Sequence, residues 1–319
     1  MPLQKVDKIW MDGRLVDWDD AKIHILTHSL HYGSGVFEGI RAYETSRGAA
    51  VWHLDEHMKR LYRSAKLYHM DIPYSPEALV QATKDVIRAN GLNACYIRPL
   101  IFLAEGGMNL NIDTGRPHFG IAVWPWKAFH GEGSLDAGIR INVSSFTRHH
   151  PNVMMTRAKI AGNYANSFLA KTESVRLGFD DAVLLDPDGY VAECTGENLF
   201  LVTRGRIITP PVAGILDGIT RDSVVTLARD AGLTVVEERI VRDRLYDADE
   251  VFLSGTAAEV ISVREVDFRT VGSGSIGPIT RTVQQAFRQT VRGEHHRSPE
   301  WLEPVLPLDD EAEAKILRA

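Results

Sequence analysis

The sequence holds only two cysteines, Cys95 and Cys194, both among apolar or small neighbours. Two thiols in such settings argue against a disulfide framework and suit a reducing compartment. No stretch approaches the roughly 18 consecutive apolar residues of a membrane span. The opening residues Met1–Asp7 lack the apolar centre of a secretory leader, so the cytoplasm is the expected location. Positive charge is not in excess either: the formal net charge is −6, which argues against general affinity for nucleic acid or membrane surfaces. No internal repeat is visible. His149-His150 and His295-His296 are adjacent pairs, not pairs four apart on a helix with a third ligand, and no metal is expected.

What is present is the ordinary material of a soluble globular chain. Its 319 residues are 44% hydrophobic and 24% charged, which suits two domains sharing a site. Runs rich in β-branched and aromatic residues at Val51–His53, Tyr96–Phe102, Gly120–Trp124 and Ile139–Val143 read as strands. A helix is expected over about 55–69, capped by Asp55, with Met58, Leu61, Ala65 and Tyr68 on one face. Another begins at Ser75-Pro76 and ends before Gly91, with the stripe Leu79, Ala82, Thr83, Val86. A third carries Tyr164, Phe168, Thr172 and Val175. Asp188-Gly189 and Arg204-Gly205 mark turns between apolar runs. Strands and helices come in clusters, which predicts an α+β fold. Pro125–Ser134 reads as a connector. The expected division is a small N-terminal domain (1–125), a linker (126–135) and a larger C-terminal domain (136–319), and no structure is assigned to the tail from about Arg297.

The chemistry centres on Lys159. It stands among small residues (Arg157-Ala158-Lys159-Ile160-Ala161-Gly162-Asn163-Tyr164), where partial burial favours the free amine that forms an imine with an aldehyde. A carboxylate in the same site, Glu193 or its rival Glu197, would keep a pyridine nitrogen protonated. Gly214–Asp222 ends a loop and opens a helix with the stripe Val224, Leu227, Ala228, Ala231, and the free N–H groups of a helix start suit a phosphate. A plain N-cap by Asp217 or Thr220 is the alternative for that stretch. Tyr96 and Arg98 alternate along a strand and share one face, and a phenol beside a guanidinium suits a carboxylate.

These motifs together resemble the class IV pyridoxal-phosphate aminotransferases. The stretch from Glu193 through Asn198-Leu199-Phe200, Thr209, Leu216 and Gly218-Ile219 to Arg221 carries the family pattern. So do His31-Tyr32-Gly33, Phe37–Arg41, Tyr96–Pro99, Trp126, Gly162-Asn163-Tyr164 and Ser254–Glu259. Over roughly residues 5–290 the chain is similar to branched-chain amino acid aminotransferases. The resemblance implies a two-domain fold-type IV enzyme with pyridoxal 5′-phosphate between a small α/β domain and a larger one. It further implies reversible ping-pong transfer of the amino group of L-leucine, L-isoleucine or L-valine to 2-oxoglutarate. Lys159 would be the catalytic residue, holding the cofactor and shuttling the proton. Glu193 would meet the ring nitrogen and Tyr164 the ring 3′-oxygen. Arg60, Gly218, Ile219, Thr220 and Thr256 would hold the phosphate. The α-carboxylate would meet Tyr96 and the Thr256/Ala257 amides, and Tyr32 and Arg98 would receive the distal carboxylate of glutamate or 2-oxoglutarate. Phe37, Gly39, Trp126 and Tyr164 would line an apolar pocket. A homodimer or hexamer is implied, with Met108–Asn111 as the loop that closes a neighbour's site. Other members of the fold (D-amino acid aminotransferases, R-selective amine transaminases, aminodeoxychorismate lyases) are the alternatives, and Tyr96-x-Arg98 with Phe37-Glu38-Gly39 favours branched-chain substrates.

Overall fold

The computed structural model describes residues 3–104, 106–111, 115–126, 129–131 and 133–305. Two sheets, each backed by helices, organise them. The first half contributes β1 (Lys8–Met11), β2 (Arg14–Asp17), α1 (His28–Tyr32), β3 (Val36–Phe37), β4 (Ile40–Thr45), β5 (Gly48–Trp52), α2 (Leu54–Leu67), α3 (Pro76–Ala89), β6 (Cys95–Leu103) and β7 (Pro117–Trp124). The second contributes α4 (Ser134–Ala137), β8 (Ile139–Val143), α5 (Tyr164–Arg176), β9 (Asp181–Leu185), β10 (Val191–Cys194), β11 (Asn198–Thr203), β12 (Arg206–Thr209) and α6 (Ile219–Asp230). It continues with β13 (Val235–Glu237), β14 (Glu250–Gly255), β15 (Glu259–Val266), β16 (Arg269–Thr270), α7 (Pro278–Val291) and α8 (Ser298–Trp301). Then β17 (Leu302–Pro304) leaves that half and pairs antiparallel with β5. The tail beyond 305 lies outside the described residues.

The first sheet runs β17-β5-β4-β6-β7-β1-β2, with β3 alongside β6. Leu54, Met58 and Leu61 of α2 and Leu79 and Val86 of α3 pack in one buried core with Ile97, Ile101, Phe119 and Ile121. The second sheet runs β10-β9-β8-β15-β14-β11-β12-β13 and is buried on both faces. Leu199, Leu201, Val251 and Leu253 join one core. Their alternating neighbours Phe200, Val202 and Phe252 join another, with Val224 and Leu227 of α6 and Phe287 of α7. That second core also takes in Tyr43, Trp52 and Trp301, so the two halves share a hydrophobic seam. No helix among the described residues is long and apolar enough to cross a membrane.

Two local expectations are corrected. Helix α2 starts at Leu54, not after an Asp55 cap; its N-cap is His53, in the left-handed region at φ 46°. Tertiary contacts hold that conformation: the imidazole packs edge-on against Trp52 at 4.5 Å, and its Nε2 lies 3.0 Å from Ser223 Oγ on α6. In α5 the anticipated apolar stripe is on the wrong side. Phe168 is 68% and Val175 56% exposed, while Ser167, Ala170 and Ser174 are buried. Small residues let this helix approach β9 closely, where Ala170 meets Ala182 and Leu184.

Candidate functional site

Lys159 lies where the two halves meet. Its carbonyl accepts the N–H of Phe37 at 3.0 Å, and the next residues continue the pairing, with Ala161 N–H on Gly35 O and Gly162 N–H on Gly33 O. The backbone N–H of Lys159 donates to Ser64 Oγ of α2 at 3.1 Å. This irregular segment is thereby held from both sides. Its ammonium donates to Tyr164 Oη at 2.7 Å and lies 5.1 Å from the centre of the Phe37 ring. Lys159, Tyr164, Glu193, Asn198 and Leu216 line one cavity.

Glu193 is 6% exposed. Its Oε2 accepts the N–H of Leu216 at 3.2 Å and an amide N–H of Asn198 at 3.4 Å, and Arg148 Nε lies 2.8 Å from Oε1. Burial pushes its pKa above the ordinary value, with the Arg148 charge opposing. The rival Glu197 is turned to other work. It meets His130 Nε2 at 2.9 Å and accepts the N–H of Gly196 at 3.0 Å. Asp181 stands close by as well, but Lys171 Nζ already sits 2.7 Å from it, supplying the positive charge there.

Asn198 ties the acid to the helix start. Its amide also donates to Leu216 O at 3.1 Å, and a Cβ on Gly218 would lie 2.0 Å from its Oδ1. Glycine at 218 is therefore a steric requirement of the network. Gly218 is also the N-cap of α6, and no side chain caps this end, which leaves the N–H groups of the first turn available to an anion. The alternative for this stretch, a cap by Asp217 or Thr220, is not what forms. Thr220 Oγ1 and Thr256 Oγ1 lie 3.1 Å apart beside it. Arg60 Nη1 donates to Asp217 O at 2.9 Å, at the edge of this cup. Its other nitrogens clasp Glu38 at 2.7 and 2.8 Å. Arg60 is 6% exposed and not a surface arginine.

Tyr96 and Arg98 come together on β6, with Arg98 Nη2 donating to Tyr96 Oη at 3.2 Å. The guanidinium lies 4.6 Å over the Phe37 ring. A Cβ at Gly39 would sit 2.1 Å from the Tyr96 hydroxyl, so glycine there admits the phenol. Trp126 packs against Tyr96 with ring centres 4.6 Å apart and planes tilted by 33°, and its indole N–H donates to Ala257 O at 3.3 Å. Tyr32 stands apart: it is 44% exposed and donates to Met108 O at 3.4 Å. Among the described residues it joins the 108–111 loop, where His28 Nε2 also meets Asn109 O at 2.9 Å. Arg148 and the Glu38 cluster were missed in the sequence. Glu38 lies inside the quoted Phe37–Arg41 run, but Arg148, eleven residues before Lys159, carries no local signal.

A pyridine ring, an aldehyde and a phosphate each find a matching group here: a buried acid beside an arginine, an amine beside a phenol, and an uncapped helix start beside two hydroxyls. The amino-transferase class IV family model matches residues 35–266. The branched-chain-amino-acid aminotransferase of Pseudomonas aeruginosa is 50% identical over 293 residues, covering 92% of this chain and 95% of that protein. The solved structure of the Escherichia coli branched-chain amino acid aminotransferase superposes with a TM-score of 0.93 at 45% identity, covering 95% of this chain and 100% of the other. The T.th. branched-chain amino acid aminotransferase, solved with pyridoxamine 5′-phosphate, gives 0.92 at 46% identity over 95% and 99%. The same enzyme has been solved with N-(5′-phosphopyridoxyl)-L-glutamate and with 4-methylvaleric acid. The chain belongs to the class IV aminotransferases and, within them, to the branched-chain amino acid aminotransferases.

Proposed function

We propose that this chain catalyses the reversible transfer of the amino group of L-leucine, L-isoleucine or L-valine to 2-oxoglutarate, with pyridoxal 5′-phosphate held between its two halves. The observation that carries the reading is the convergence of Lys159, Tyr164 and Glu193 on one cavity. When bound, the cofactor supplies an aldehyde that takes up the amino group and a ring that accepts electrons from the Cα–H bond.

Lys159 Nζ would hold the cofactor at its aldehyde carbon and, as a free amine, would move the proton at the substrate Cα. Tyr164 Oη, 2.7 Å from Nζ, directs that amine and meets the ring oxygen. Glu193 holds a proton at the ring nitrogen. The N–H groups of Ile219 and Thr220, the hydroxyl of Thr256 and the nearby Arg60 bind the phosphate, with Gly218 leaving room. Tyr96 and the Thr256/Ala257 amides take the α-carboxylate. Phe37, Gly39, Trp126 and Tyr164 shape an apolar pocket for the branched side chain, and Arg98 with Tyr32 receives the distal carboxylate of glutamate.

The domain division at 1–125, 126–135 and 136–319 is part of the same proposal, with β17 as a strand returned to the first sheet. So is a homo-oligomer, a dimer or a hexamer. Phe168, Leu169, Val175 and Leu177, on and just after α5, are exposed large apolar residues, a pattern typical of a covered surface. The 108–111 loop would then close a neighbouring copy's site. We place the enzyme in the cytoplasm. Both thiols are buried and free, and burial pushes that of Cys95 up to about 12. The test is spectral. The holoenzyme's visible band should bleach with L-leucine and recover with 2-oxoglutarate. Bleaching by D-leucine or simple amines alone would move the assignment to another member of the fold.

A further inference from the structure

Glu193 is gripped unequally at its two oxygens. Oε2 accepts two N–H groups, from Leu216 and Asn198. Oε1 faces Arg148 Nε at 2.8 Å, but that N–H is not aligned to donate to any acceptor. The contact pairs opposite charges, and among the described residues Oε1, unlike Oε2, accepts no N–H in donating geometry. Arg148 is 7% exposed. It stands between the cavity that holds Lys159 and a second cavity of about 400 Å³ lined by His149, Tyr190, Pro210, Ile215 and Arg239. Its Nη1 lies 3.4 Å from His149 Nδ1. Burial, then the Arg148 charge, lower the His149 pKa to about 4, so this imidazole is neutral and Nδ1 faces the guanidinium as an acceptor.

We propose that Arg148 is a positioning residue for the transfer reaction: acting through Glu193 and without touching substrate, it keeps that carboxylate ionised and leaves Oε1 as the oxygen that receives the N–H of a bound pyridine ring. The inference rests on the assignment of Glu193 to the ring nitrogen made above. A carboxylate taken out of water is protonated unless a cation stays near it. The charged and titratable groups around Glu193 are Arg148, Lys159, Tyr164, Cys194 and Glu197, with His149 behind Arg148. Of the two cations, Lys159 gives up its charge whenever it acts as a base, whereas a guanidinium does not deprotonate in proteins. A protonated Glu193 would have no negative charge with which to hold a proton on the ring.

The test compares Arg148→Met and Arg148→Lys with the wild type, using Glu193→Gln as the spectroscopic reference. In the apo-proteins at neutral pH, infrared difference spectra against the matching Glu193→Gln protein should show an ionised carboxylate in the wild type, a protonated carboxyl in Arg148→Met, and an ionised carboxylate again in Arg148→Lys. In the holoenzymes, Arg148→Met should lower kcat for leucine by ~30-fold or more, the scale of losing one partner of a buried charge pair. The leucine KM should hardly move, the pH titration of the visible band should shift, and Arg148→Lys should recover most of both losses. An Arg148→Met protein whose Glu193 remains ionised and whose visible band titrates as in the wild type would overturn the proposal. If Arg148→Met does not fold, the wild-type infrared spectrum still decides, because a protonated Glu193 at neutral pH overturns it too. A wild-type protein that takes up no pyridoxal phosphate would sink the functional assignment while leaving the apo-protein result on Glu193 readable by itself.

Discussion

Glu38 and Glu193 are both buried carboxylates, and they are treated in opposite ways. Glu38 is fully enclosed. Its two oxygens are clasped by Arg60 at 2.7 and 2.8 Å, and His57 Nδ1 reaches Oε2 at 2.7 Å. Burial alone would raise its pKa, but Arg60 and then His57 outweigh burial and hold it well below the usual carboxylate range. Glu193 has longer hydrogen bonds on one oxygen, an unaligned guanidinium on the other, and a pKa above the ordinary value. A carboxylate completed by its own chain holds structure together. One left incomplete is waiting for a ligand to finish it. Arg98 shows the same distinction among cations. It is half-buried against Phe37 and Tyr96 and has no carboxylate partner among the described residues, as a receiver of a substrate carboxylate should be.

The contrast can be broken by experiment. The largest effect is expected on the incomplete side. Lys159→Ala should abolish multiple turnover and the visible band of the bound cofactor while the unfolding midpoint stays close to the wild type. Near-native turnover would remove Lys159 from the mechanism. The complete side should respond in stability. Glu38→Gln leaves the Arg60 charge buried without its partner, and loss of about 3–5 kcal/mol is expected from denaturant unfolding of the apo-protein. Because the Glu38 pKa is depressed in the folded state, its stabilisation is present above the unfolded carboxyl value and lost as pH falls towards the folded one. The difference between wild type and variant should shrink on acidification. A difference that stays constant with pH would mean the cluster acts by shape alone.

Arg98→Ala should separate the two substrates. The glutamate/2-oxoglutarate half-reaction should weaken by roughly 2–5 kcal/mol, the cost of removing one partner of a buried charge pair, with a much smaller loss for leucine. Single-turnover absorbance from each cofactor form would measure both. Equal losses would instead put Arg98 on the α-carboxylate common to both substrates. The smallest effect concerns Glu193 in the apo-protein. Its raised pKa means that its contribution to stability is full below the unfolded carboxyl value and declines as pH rises through the folded one. Glu193→Gln should therefore cost no stability at neutral pH, or gain about 1 kcal/mol or less, while proton exchange at Cα slows in the holoenzyme. A large destabilisation would place Glu193 with Glu38 as a structural group.

Much of this was legible residue by residue. Ile139–Val143 is a strand at the expected bounds, and Ser75 caps α3 with its hydroxyl accepting the Ala78 N–H. Both follow from local chemistry, namely β-branched runs and a serine–proline helix start. Lys159 and Glu193 stood out as candidates because their neighbours form long motifs, and the structure brings both to one cavity. The failures share one cause. His53 displaced Asp55 as a cap because Trp52 and Ser223 hold it, and α5 buried Ser167 and Ala170 rather than Phe168 because β9 lies so close.

From the sequence alone came the α+β class, the family, the cofactor and the candidate lysine and acid, since each depends on residue types at short spacings. Tertiary structure decided the rest. It brought Arg148 to Glu193 across 45 positions and Arg60 to Glu38 across 22, made Gly218 and Gly39 steric requirements of Asn198 and Tyr96, and returned β17 to the first sheet. Whether a buried charge is satisfied depends on distances of a few ångströms between segments far apart in the chain, and no local pattern records those distances.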